Sequence, residues 1–290
     1  MLDILDEAIL TAWNSARTAG SALLAGFEAG RPQGSYAKPA EPQEFKSFAE
    51  KEILRLITDA FPEHGVLFSG GGREGDVEGA GHVWYVNSLD GAFNYTRNSP
   101  FFSISIGFLG RDRDGALNPL AGVVLAPALM EMFWATLGGG AHYCQQIPGI
   151  GLTEGPISVS DTGRAEGAVV KTWLGEATPD QGDISRQGRI QGEVMAFSKE
   201  ASASLNLAYV AAGRAECFYS SNLRPVDAVP ATLIVSEAGG RVSDYQGRPW
   251  PNGEGSGILA TNGLLHGRFM GLLSGGPKAE GAQGGKVLAC

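Results

Sequence analysis

The side chains of this 290-residue chain that could do chemistry are mostly carboxylates. REGDVEG at 73–79 brings Glu74, Asp76 and Glu78 into one short stretch, Asp227 lies in RPVDAVP, and Ser47-x-x-Glu50 pairs a hydroxyl with an acid. Hard divalent cations take such oxygen ligands. Each group also has a plainer reading: a solvated acidic turn for REGDVEG, a helix capping box for Ser47 and Glu50, and an N-cap for Asp227, with Pro230 tolerated in the first turn that follows. Other chemistries find no pattern. There is no Ser-His-Asp arrangement or dinucleotide fingerprint, and GGGREG lacks the G-K-[ST] ending of a phosphate-binding loop. His64, His82, His142 and His266 stand apart from one another. Cys144, Cys217 and Cys290 are odd in number and lack metal-type spacing, which reads as free thiols in a reducing cytosol.

The elements that must position these groups follow from periodicity. Leu2, Leu5, Ile9, Ala12, Trp13 and Ala16 predict a helix over about 2–28; Ala49, Ile53, Ile57 and Ala60 mark a second, closed by Phe61-Pro62. VWYV at 83–86, FSISIGFL at 102–109, AGVVLAP and EMFWAT read as strands. In the second half, strands are expected at 168–174, at 194–197, around ECFY and near RVSD and GILA, with helices at 201–212, 227–238 and 263–273. The fold class is therefore α/β, more α+β in the first half and α/β in the second. The expected division is 1–145, 146–274 and a Gly-rich tail, 275–290, ending at Cys290.

Composition narrows the function. A formal net charge of -9, with no basic stripe, excludes non-specific nucleic-acid binding. No apolar run is long enough for a membrane span, and the acidic MLDILDEAIL start is unlike a signal peptide, so a cytoplasmic protein is expected.

The segment WYVNSLDGAFNYTRNSPFFSISIGF resembles the signature of the inositol monophosphatase superfamily, in which a Trp-containing apolar strand leads into D-P-x-D-G-T-x-N-F. Trp84, Leu89, Asp90, Gly91, Asn94, Tyr95, Pro100, Phe101 and Phe102 match in order and spacing. RPVDAVPATLIVSEAGG at 224–240 resembles the second family signature, SASLNLAYVAAGR the stretch between them, and GILATNGLLH the closing strand and helix. The likeness covers roughly residues 1–274. It implies a layered α-β-α-β-α sandwich, usually a homodimer, and Mg2+-assisted hydrolysis of a small phosphate ester, in which metal ions bridge the phosphate and activate water.

The departures fall on the implied ligands. Asp90 and Asp227 are retained, with the Leu89 carbonyl between the two positions of the first signature. Asn87 stands where the family has a metal-bridging Asp, Ser69 where it has a Glu, and Ala92 where a Thr orients the attacking water. Ser47 and Glu50 align with the family's water-positioning Thr-Asp pair, and Ser220 with its substrate-contacting acid. Gly91, Ala92 and Asn94 align with its phosphate-binding turn. Each lost charge-assisted contact is worth roughly 1.5–3 kcal/mol, so Mg2+ is expected to bind weakly or not at all. Glu74, Asp76 or Glu78 could substitute as ligands, and Lys46 or Arg97 could enter the emptied site as cations. Three readings follow: a protein with an eroded metal site that keeps a pocket for a small phosphorylated or anionic metabolite, an active phosphomonoesterase with an altered site, or a structural partner subunit.

Overall fold

The computed structural model describes residues 4–29, 42–175, 180–251 and 257–275. Cys290 and the tail beyond Gly275 lie outside the described residues, as does most of the loop between the first two helices. In α1 (Ile4–Ala29), Ala8, Ala12, Ala16, Ala19 and Leu23 recur every three or four residues and are buried on one face. In α2 (Pro42–Ala60), Ala49, Ile53 and Ile57 do the same. Both helices cover one face of an eight-stranded sheet.

That sheet comprises β1 (Gly65–Phe68), β2 (Arg73–Glu74), β3 (His82–Asp90), β4 (Ser103–Arg111), β5 (Leu117–Ala126), β6 (Glu131–Thr136), β7 (Gly140–Ile147) and β8 (Gly151–Pro156). Its order is β2-β1-β3-β4-β5-β6-β7-β8, antiparallel except for the β1–β3 pair. A one-turn helix, α3 (Ala92–Thr96), follows β3 after Gly91. The second sheet holds β9 (Val169–Thr172), β10 (Ala196–Lys199), β11 (Cys217–Ser220), β12 (Arg241–Ser243) and β13 (Ile258–Thr261), in the order β10-β9-β11-β13-β12.

Between the sheets lie α5 (Ala203–Ala211) and α6 (Pro225–Glu237), buried almost all round because each meets a sheet on two sides. The far face of the second sheet carries α4 (Gln181–Gln191) and α7 (His266–Ser274). Three apolar cores fill the spaces between five layers, which is the expected α-β-α-β-α sandwich.

The structure also holds elements that periodicity does not reveal. β7 and β8 are two such strands, and the division at 145–146 falls inside β7. α4 has little apolar character; Asp180 caps it by accepting from the Asp183 amide at 2.7 Å, and Ile190 anchors it. The capping-box reading of Ser47 and Glu50 is corrected, because α2 begins at Pro42 and both residues lie inside it.

His266 sits buried between Ser243 Oγ at 2.8 Å and Thr261 Oγ1 at 2.9 Å. Burial, and secondarily Arg241, push its pKa from 6.5 down to about 4. The unfolded chain therefore binds the extra proton between those values, so this contribution to stability is complete above pH 6.5 and is lost as pH falls towards 4. It amounts to about 3 kcal/mol. Asp90, whose pKa is raised, works in the opposite sense over an overlapping range. The difference between the natural chain and His266→Asn isolates the histidine: thermal melts from pH 7 to 4 should show a steeper acid loss in the natural chain. Parallel curves would refute this assignment.

Candidate functional site

The end of β3 decides where the first group of candidate residues points. Side chains alternate along a strand, so residues 87 and 90 would ordinarily face opposite sides of the sheet. Here Asn87 pairs with Ser105 and Asp90 with Ser103, so β3 takes one more residue step than β4. This bulge brings the Asn87 and Asp90 side chains to the same cavity. Ser88 turns the other way and donates to Glu50 Oε1 at 3.1 Å. Gly91, at φ +87°, makes the turn into α3; a Cβ there would lie 3.1 Å from both the Phe101 carbonyl and Ser202.

The cavity has a volume of about 500 Å3 and opens between β3, the start of α6 and the β1–β2 turn. It gathers Ser69, Asn87, Asp90, Asp227, Lys46 and Arg224, with Leu89, Gly91 and Ala92 on its wall. Asp90 is buried and accepts from Ser202 Oγ at 3.0 Å and the Ser204 amide at 2.8 Å. Burial raises its pKa to about 6, an effect that these hydrogen bonds partly offset and nearby Asp227 reinforces. Asp227 lies in the first turn of α6. Its Oδ2 accepts from Arg224 Nε at 2.9 Å, and its Oδ1 accepts from Arg224 Nη2 at 3.2 Å and from Asn87 Nδ2 at 3.1 Å. Arg224 Nη2 also donates to Ser69 Oγ at 3.1 Å.

Other candidates lie elsewhere. Ser47 and Glu50 line a separate cavity of about 480 Å3 between α2 and the β1–β2 turn, which shares Lys46 and Gly70 with the first. Asn94 does not line the first cavity; its amide ties α3 to the carbonyls of Phe101 (2.5 Å) and Ala201 (3.3 Å). Ser220 is fully buried, outside the cavity wall, and its hydroxyl has no partner among the described residues. Glu74 faces the second cavity, Asp76 accepts from the Gly79 amide, and Glu78 pairs with Arg73, so none of the three reaches Asp90. Arg97 stacks over Phe93 and does not line the cavity, whereas Lys46 does.

Sequence reasoning missed Arg224, Asn222 and Trp173 on the cavity wall. For Arg224 a signal was present: it precedes Asp227 by three residues, a spacing that brings side chains together at a helix start. Trp173 reaches the cavity from the end of the second sheet and had no local signal. Among the described residues, no group of three or more His, Cys, Asp or Glu side chains is arranged to hold a metal ion. No helix among them is long and apolar enough to cross a membrane.

Five layers, a bulged strand ending in Asp-Gly and a second Asp opening a central helix together define a sugar-phosphatase type of sandwich. Residues 5–275 match the model of the inositol monophosphatase family, and the chain belongs to that family. It is 30% identical over 226 residues to the inositol-1-monophosphatase of Caulobacter vibrioides, covering 77% of this chain and 82% of that protein. To the Nus factor SuhB of Pseudomonas aeruginosa it is 33% identical over 206 residues, covering 69% and 70%. Among solved structures, the inositol monophosphatase of Anabaena superposes with a TM-score of 0.77 at 27% identity, covering 95% of this chain and 98% of that one.

Proposed function

We propose that this chain binds a small phosphorylated or anionic metabolite and has little or no Mg2+-dependent phosphatase activity. The observation that carries this reading is the state of Asp227. Its carboxylate already holds the Arg224 guanidinium at two points and the Asn87 amide at a third. Mg2+ requires near-octahedral oxygen ligands, usually one or two carboxylates with waters and substrate phosphate. Here one carboxylate is paired with a guanidinium, and the other, Asp90, accepts from Ser202 Oγ and the Ser204 amide through Oδ2. Asn87 and Ser69 add neutral oxygens only, and Asn87 points its amide nitrogen at Asp227. These residues do not fit a pair of divalent ions.

An anion fits better. Lys46 and Arg224 line the same cavity, and a guanidinium fork matches phosphate oxygens as well as a carboxylate. The names of the relatives support a phosphate ester as the ligand class, since the Caulobacter protein is an inositol-1-monophosphatase. A phosphomonoesterase with a one-metal site is the competing reading, favoured by the convergence of Asp90 and Asp227 on one cavity.

Calorimetry with Mg2+, beside a phosphatase screen on small phosphate esters, separates the two. The expected result is no Mg2+ binding in the micromolar range and turnover no faster than a buffer control. Micromolar Mg2+ binding with metal-dependent turnover by the natural chain would overturn the proposal.

A further inference from the structure

We infer that Asp227 is an internal competitor for Arg224, holding back an anion clamp that Arg224 forms with Lys46 across the cavity. This rests on the reading that the cavity takes an anion without a metal pair. Arg224 places Nε and Nη2 on Asp227 and Nη2 on Ser69 Oγ, and leaves Nη1 outside these bonds. Its side chain is 61% exposed at the cavity rim, whereas the Asp227 side chain is only 14% exposed. The arginine can therefore swing away while the aspartate stays. Lys46 lines the same cavity from α2, with its ammonium 3.8 Å from Glu50 Oε1, a separation that leaves it only loosely paired.

The charge balance shows why the pair matters. Within the cavity, Asp90 and Asp227 face Lys46 and Arg224, so the wall carries no net positive charge and Asp227 competes with an incoming dianion for Arg224. A phosphate monoester offers Arg224 the same planar two-point recognition as a carboxylate, with greater charge. Arg224 is the exposed partner, so exchanging Asp227 for phosphate trades one charge-assisted pair for another. The ligand class is thus a small phosphate dianion, free or as a monoester, captured by the chain's own cations.

The consequence is opposite to that of a metal-ligand role. Where Asp227 held a metal, its loss would weaken phosphate binding; as a competitor, its loss strengthens it. The experiment titrates inorganic phosphate into the full chain by calorimetry, once with EDTA and once with Mg2+. Asp227→Asn keeps a hydrogen-bonding side chain and should raise phosphate affinity about tenfold in EDTA, the size of one charge-assisted contact. Ser69→Ala, which loosens the same arginine without touching a charge, should raise it by about twofold to threefold. Arg224→Gln and Lys46→Met should each lower it about tenfold or more. In the double variant Asp227→Asn, Arg224→Gln, the gain should vanish, since the two residues act through one contact.

Unchanged or weaker phosphate binding by a folded Asp227→Asn in EDTA overturns the competitor role. Should that variant fail to fold, an unchanged affinity in Ser69→Ala does the same. Phosphate binding by the natural chain only when Mg2+ is present overturns the underlying metal-free reading instead, so the two failures are distinguishable.

Discussion

The triple variant Ser69→Glu, Asn87→Asp, Ala92→Thr is expected to bind Mg2+ at least about a hundredfold more tightly than the natural chain. Two added carboxylates at roughly 1.5–3 kcal/mol each set that scale. Positions 69, 87 and 92 already line one cavity with Asp90 and Asp227, so no backbone rearrangement is needed to bring the new ligands together. The same geometry predicts a penalty without metal. Asn87 Nδ2 now donates to Asp227 Oδ1 at 3.1 Å, and a carboxylate at position 87 turns that bond into a repulsion between like charges. Ser69 Oγ accepts from Arg224 at 3.1 Å, and a carboxylate at position 69 offers that arginine a second partner, which partly offsets the cost. The variant should therefore melt below the natural chain in EDTA and be stabilised by Mg2+, which binds only the folded state. Calorimetry and thermal melts with and without Mg2+ check both halves. A variant that folds yet gains no Mg2+ affinity would refute the expectation that these positions suffice to build a metal site.

Gly122→Ala is expected to destabilise the protein by about 3 kcal/mol or more, lowering the melting temperature by about 5–10 °C. A Cβ at Gly122 in β5 would lie 2.3 Å from the Pro230 carbonyl oxygen and 3.1 Å from its carbon, both backbone atoms of α6. Backbone cannot step aside as a side-chain tip can, so α6 must lift from the sheet. A Cβ at Gly107 on β4 would lie 2.7 Å from the ring of the same proline, so two neighbouring strands make room for this one helix. Lifting α6 also moves Asp227 and Arg224, so the effect reaches the site. Gly188→Ala is the control: it lies within α4, a Cβ there would meet open space, and the protein should be stabilised by about 0.5–1 kcal/mol from helix propensity alone. Equal melting temperatures for the natural chain and Gly122→Ala would refute the close approach of α6 to the sheet.

Much of this was legible in the chain itself. The apolar spacing of Leu2, Leu5, Ile9, Ala12, Trp13 and Ala16, and of Ala49, Ile53, Ile57 and Ala60, located the outer helices, because one-sided burial leaves a periodic trace. Asp90-Gly91 and Asp227, with the letters around them, identified the family and drew attention to positions 69, 87 and 92. α4, β7 and β8 left no such trace, since their stability comes from neighbours more than from their own pattern. Ser47-x-x-Glu50 matched a cap locally, yet α2 begins upstream of it.

The site divides in the same way. Sequence by itself determined which residue types are available: the carboxylates Asp90 and Asp227, a neutral Asn87, Ser69 and Ala92, and the cation Lys46. Only the tertiary structure decided which of them meet. The bulge in β3 turns Asn87 and Asp90 to one side, Glu50 goes to Ser88, Ser220 is buried away from the cavity, and Arg224 closes on Asp227. The reason is physical: residue identity fixes charge and hydrogen-bonding capacity, whereas a partner within about 3 Å is set by register, packing and the direction each backbone gives its Cβ.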